Sequence, residues 1–345
     1  MVAAVAGVAA LGMLLTGCSF AEQYQQVVDD ISHTQQLQAD FDRLVGDIRE
    51  QDGVESVSAD SALAFAPRSA SIAVRMRAES SPAQWRAVAD SVMVAAAAEL
   101  AEVEFEVAQQ TDALHLEYPA AVVAGLEVEA EVELAARLEE AIGPGLEVHL
   151  IRAAPSWSRV IGAIDRADTS VTHALVANTD AVRAAVASAP ELTTQWLLPG
   201  LSFMGGLPPD AVLALVGQSD LALPPNILPG DDDSGLELPD EAVWFGYHLN
   251  DAAESVVIGA LFSHADTPSE AEGWARFLQL VSTAVSTVDG VLIVNVQWAT
   301  SGGIVSRTTC VDGIPTATAG DDALLDSLAS GGLEITGMIA GYCAT

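Results

Sequence analysis

Several short segments of this chain alternate apolar and polar side chains with a period of two: SIAVRMR at 71–77, VEFEV at 103–107, LHLEY at 114–118 and LEVHLI at 146–151. Successive side chains of a strand point to opposite faces, so this pattern specifies strands with one buried and one wet face and excludes an all-helical bundle. One-sided strands are typical of antiparallel pairing, which is therefore expected. Between the first two segments lies SSPAQW. Ser81 can cap a helix, Pro82 suits its first position, and Trp85, Val88, Val92 and Ala95 or Ala96 form an apolar stripe. Residues 39–119 thus read as strand, strand, helix, strand, strand.

The same order returns near the C-terminus. VWFGYHL (243–249) and VVIGALF (256–262) read as strands, as do VLIVNVQW (291–298) and GGIVSR (302–307). DTPSEAEGW starts the intervening helix, with Asp266 or Thr267 near the cap, Pro268 inside, and a stripe at Trp274, Phe277, Leu278, Val281 and Val285. The shared Ser/Thr-Pro…Trp start suggests two copies of one unit, roughly 190 residues apart. A degenerate third unit occupies 126–218. Within it LEVEAEVEL (126–134) suits strand or helix, 135–142 is helical up to Gly143-Pro144-Gly145, 180–189 is helical, and 211–217 is open between the two.

Seven prolines fall between Pro199 and Pro239, and with PGDDDSG at 229–235 they mark 219–240 as a linker before the last unit, 241–345. That unit ends in a helix and a closing strand carrying Cys343. Ahead of the first unit, Tyr24, Val27, Val28 and Ile31, continued by Phe41, Leu44, Val45 and Ile48, keep helical spacing until Gly53. Residues 18–38 read as a helical stalk. The expected fold class is α+β: tandem strand-strand-helix-strand-strand units with antiparallel sheets, preceded by an N-terminal helix.

The first twenty residues contain no Asp, Glu, Lys or Arg. An apolar run followed by small residues has the form of an export signal, and it is shorter than the roughly 20 residues a membrane span needs. It closes on Leu15-Thr16-Gly17-Cys18, which resembles the lipobox of bacterial lipoproteins. The resemblance implies a signal peptide over 1–17, a diacylglycerol thioether with palmitate-type chains on Cys18, and display on the outer face of the cytoplasmic membrane. Two acyl chains, each contributing about 0.8 kcal/mol per buried methylene, hold a protein durably. A signal peptide opens with a basic residue, whereas the first here is Arg43, so the start codon is expected upstream. Arginine supplies all 13 basic residues, and with abundant Ala and Val this suggests GC-rich coding, as in high-GC Gram-positive bacteria.

The 48 acidic residues leave a net charge of −35. Nucleic acid, which is bound by displacing counterions with Lys and Arg, is excluded as a partner. Anionic lipid headgroups would be repelled, so attachment to the membrane must be covalent. Divalent cations or a basic partner protein are compatible. Of the three cysteines, acylation of Cys18 leaves Cys310 and Cys343, and exported chains tend to pair such thiols. A bridge closing a loop of about 30 residues would stabilise by roughly 3–4 kcal/mol.

No motif names a reaction. The six histidines show no metal-ligand spacing, and His115 and His149 sit in the polar phase of their strands as surface side chains. Asp231-Asp232-Asp233 has acidic residues at calcium-loop spacing but Gly235 where the third ligand belongs, so a solvated linker is expected. GLSFMG (200–205) misses the serine-hydrolase spacing and lies in a proline-rich loop, and Ser301-Gly302-Gly303 reads as a turn. A G-x-x-x-x-G-K-[ST] phosphate-binding loop cannot exist without lysine. No catalytic, metal or cofactor residue is therefore assigned. The expected role is binding or scaffolding at the cell surface, with an envelope protein as partner. The alternatives are a solute-binding lipoprotein of a transporter and a wall-associated hydrolase.

Overall fold

The computed structural model describes residues 28–64, 67–112, 114–119, 127–153, 156–226, 237–249, 254–287, 291–299, 301–305, 308–311, 314–317 and 322–333. The chain divides into two units, the first comprising residues up to Thr111 with Glu117–Glu129, the second Asp112–Leu116 with Ala130–Thr345.

Unit 1 opens with helix α1 (28–49), which runs unbroken past residue 38 and buries Leu37, Phe41, Leu44, Val45 and Ile48. The segment expected to begin as a stalk thus continues directly into the core. Past the end of α1, Gly53 adopts φ +89°, where a Cβ would lie 2.9 Å from the Gln84 side chain. Strands β1 (Val54–Ala62) and β2 (Arg68–Met76) form an antiparallel hairpin with an irregularity between Val54 and Ser56. Helix α2 (Pro82–Ala97) begins as its sequence requires: Pro82 is at the first position, and the Gln84 carboxamide oxygen accepts from the Ser81 N–H at 2.8 Å. It buries Trp85, Val88, Ala89 and Val92, each large side chain stabilising by roughly 1.5–3 kcal/mol. Strand β3 (Val103–Gln110) then pairs with β2 in parallel, Arg68 opposite Val103 through Arg75 opposite Gln110.

In unit 2 the strands lie side by side in chain order. These are β4 (Leu114–Pro119, its residues up to Leu116), β5 (Leu146–Ala153), β6 (Ser156–Ala163), β7 (Thr193–Leu198), β8 (Leu201–Met204), β9 (Glu241–Leu249), β10 (Glu254–Phe262), β11 (Val291–Trp298) and β12 (Ser301–Val305). The pairs β5/β6, β7/β8, β9/β10 and β11/β12 are antiparallel. The pairs β4/β5, β6/β7, β8/β9 and β10/β11 are parallel. A parallel pair needs a long connection. Helix α3 (Val128–Ile142) supplies the first, α4 (Ser170–Ala177) with α5 (Thr179–Ala187) the second, α6 (Asp210–Gly217) the third and α7 (Trp274–Thr287) the fourth. Helix α6 touches both α4 and α7. A hairpin of β13 (Thr308–Val311) and β14 (Ile314–Ala317) and helix α8 (Asp322–Ser330) complete the described residues.

The fold is mixed α/β with mixed pairing, and this corrects the expectation of antiparallel sheets. Within β5, Leu146, Val148 and Leu150 are buried while Glu147 and His149 are half-exposed. Parallel strands covered on one face show the same period-two pattern as antiparallel ones, so the pattern reports a wet face and not a strand direction.

One segment left open is settled, and several local expectations are changed. Residues 128–142 are one helix, because Val128, Val132, Ala135 and Leu138 share one buried stripe with Glu131. The helix expected from 266–268 begins at Trp274, after a separate 3₁₀ turn, Pro268–Glu270. The break falls at Ala271, whose backbone is extended at φ −66° and ψ 139°, and Gly273 then packs so closely that a Cβ there would meet the Glu241 carboxylate at 2.5 Å and Leu221 at 2.7 Å. Ser202 and the Ser301-Gly302-Gly303 run lie within strands β8 and β12, not in a loop or turn. In the proline-rich stretch, Leu221 and Leu223 are buried and the Val243 N–H donates to the Ala222 carbonyl at 2.8 Å, so residues 219–226 pack against unit 2.

Two buried polar arrangements fix the cores. In unit 2 the Arg159 guanidinium, 1 % exposed, grips the fully buried Glu131 of α3 through both carboxylate oxygens. It also donates to Thr194 at 3.0 Å and to the Pro190 carbonyl at 3.3 Å. In unit 1 the Gln109 amide oxygen accepts from the Tyr118 hydroxyl at 2.8 Å and from the Ala89 N–H at 3.1 Å, while its nitrogen donates to the Trp85 carbonyl at 3.3 Å. Burial pushes the Tyr118 phenol far above its ordinary range.

Candidate functional site

Strands β4 and β5 are parallel with His115 directly opposite His149. Both leave the strand on its wet face, and their rings stack with centroids 4.8 Å apart and planes at 29°. Glu147, two residues before His149 and so on the same face, accepts from the His149 Nε2–H at 3.0 Å. Gly162 stands opposite Glu147 across the β5/β6 pair, and even a Cβ there would come within 3.6 Å of its carboxylate. The hydrogen bond from His149 holds the Glu147 carboxyl below its usual range; burial opposes this, and the charges of His149, His115 and Arg166 add to it.

In a neutral His149 ring this hydrogen bond places the proton on Nε2. The arrangement sets two imidazoles and one carboxylate side by side on an open sheet face. The register places Val160 beside His149 and Gly162 beside Glu147, so neither neighbouring position on β6 brings a nucleophile. Among the described residues, no group of three or more His, Cys, Asp or Glu side chains is placed to share a metal ion. The two histidines each sat in a strand's polar phase in the sequence. Only the parallel register, which no local pattern encodes, shows that they meet.

Unit 1 carries a different feature. Residues of α1, of α2 and of the turn after α2 line an open cavity of about 400 Å³. Its apolar lining includes Leu44, Ala95, Leu100 and Val94, which is 62 % exposed. Its polar lining includes Arg43 and four carboxylates, Asp40, Asp47, Asp90 and Glu99. Asp40 is paired with Arg43 at 2.9 Å and Asp90 with Arg86 at 2.7 Å.

The remaining histidines do not converge on a site. His33 and Arg68 both contact Glu102, and His264 lies 2.9 Å from Asp240. Of the residues singled out in the sequence, Cys18 and Cys343, assigned to lipidation and a disulfide, and Asp231-Asp232-Asp233, expected as solvated linker, lie outside the described residues. Cys310 is in β13 opposite Pro315 on the backbone, and its side chain also lies outside them. Among the described residues, no helix is long and apolar enough to cross a membrane. No protein-family model, no curated protein and no solved structure matches this chain.

Proposed function

We propose that this chain is a lipid-anchored protein of the cell envelope, held to the outer face of the cytoplasmic membrane through Cys18, where it binds or scaffolds a partner protein. The observation that carries this reading is the tetrad Leu15-Thr16-Gly17-Cys18 closing an uncharged apolar run. The net charge of −35 supports a covalent rather than electrostatic attachment. The open cavity of unit 1 supports a binding role. Its body is made of tandem strand-and-helix units, and Cys310 and Cys343 form a disulfide in the oxidising envelope.

The test is metabolic labelling with an alkyne palmitate analogue in a bacterial host that processes lipoproteins. The wild-type chain takes up label and partitions with membranes; Cys18→Ala does neither. Label retained by Cys18→Ala would overturn the anchor. Intact mass under non-reducing conditions tests the disulfide, since two alkylatable thiols would refute it.

A further inference from the structure

We propose that the cavity between α1 and α2 is the docking groove for a cationic amphipathic helix of a partner protein. This deepens the binding role proposed above by naming the partner's chemistry and the surface that receives it. Two adjacent helices leave a furrow between their ridges into which a third helix can pack. Here the floor is apolar, from Leu44 of α1 and Leu100 just beyond α2. Val94 stands at the rim with 62 % of its surface exposed. An isolated exposed valine needs no explanation, but one bordering an apolar furrow of about 400 Å³ offers area that a docked helix would remove from water.

Charge selects the occupant. Asp40 and Asp90 are already engaged by Arg43 and Arg86, whereas Asp47 and Glu99 line the furrow with no salt bridge or side-chain hydrogen bond among the described residues. Two uncompensated carboxylates beside an apolar floor fit Lys or Arg flanking a Leu or Ile stripe, and repel an acidic helix. A second copy of this chain is a poor occupant, since it has no lysine and carries 48 acidic against 13 basic residues.

The test uses the full chain and a fluorescein-labelled leucine/lysine peptide about five helical turns long, with a scrambled peptide of the same composition as its control. Asp47→Asn/Glu99→Gln is expected to weaken binding about five-fold, as is Val94→Asn, while Glu139→Gln/Glu140→Gln at two exposed positions of α3 changes it less than about two-fold. Hydrogen exchange gives an independent readout, with slowed exchange in α1 and α2 when peptide is added. The proposal fails if the scrambled peptide binds equally well, or if the α3 pair weakens binding as much as the groove pair. Self-association of the full chain abolished by Val94→Asn would assign the groove to a second copy and also overturn it. None of these readouts depends on Cys18, so loss of the groove and loss of the anchor are distinguishable.

Discussion

Arg159 and Glu131 meet where neither can reach water, and each is tolerable only because the other is present. Removing one charge, as in Arg159→Met or Glu131→Gln, should cost about 3–5 kcal/mol, read as a lowered urea midpoint, because a buried ion is left without its counterpart. The double replacement Arg159→Met/Glu131→Leu should recover most of that loss. Glu147 gives a second residue-scale expectation. Its folded-state carboxyl is held below the unfolded value, so its contribution is fully present above about pH 4.3 and disappears as pH falls through the lower folded value. Its side chain is 37 % exposed, so solvent screening keeps that contribution small. Glu147→Gln should flatten that part of the acid limb in urea midpoints measured across the acid range. In His149→Ala, the largest cause of the shift is gone, and the carboxyl resonance of residue 147 should titrate nearer the ordinary range.

At the scale of elements, helix α1 carries a glycine at position 46 around which a Cβ would meet nothing within 4 Å. Gly46→Ala should therefore stabilise by about 0.5–1 kcal/mol, seen as a higher thermal midpoint, because it removes backbone freedom from the unfolded chain at no steric cost. Gly259 in β10 behaves oppositely: a Cβ there would fall 1.9 Å from the Trp244 indole, which lies over it from β9. Gly259→Ala must displace that indole and should destabilise by about 1–3 kcal/mol. The strands were largely legible in the sequence, since VEFEV, LHLEY and LEVHLI report their faces directly. Ser81, Pro82 and the Trp85 stripe likewise announced α2. Strand direction was not legible, because a one-sided parallel strand alternates like an antiparallel one. The break before Trp274 was hidden too, for nothing in DTPSEAEGW marks Ala271 as the residue whose backbone turns extended. The meeting of His115 with His149 needed a register set by tertiary pairing, and the furrow beside Val94 needed the placement of α1 against α2.

For the molecule as a whole, 48 carboxylates against 13 guanidinium groups make self-repulsion a permanent opponent of folding. Raising sodium chloride from about 0.01 to 0.15 M shortens the screening length from about 30 to 8 Å, so the thermal midpoint should rise over that range and level off beyond it. An unchanged midpoint would mean that the carboxylates are too dispersed to oppose one another. The ordering of unit 2 carries a different consequence. Each strand from β5 to β11 has as its neighbours the strand just made and the strand about to be made. A polypeptide threaded out of a pore from its amino end could zip such a sheet one hairpin at a time, never waiting for a distant segment to close it. The growing rim would always be the most recently emerged strand, and the next helix and hairpin would cover it.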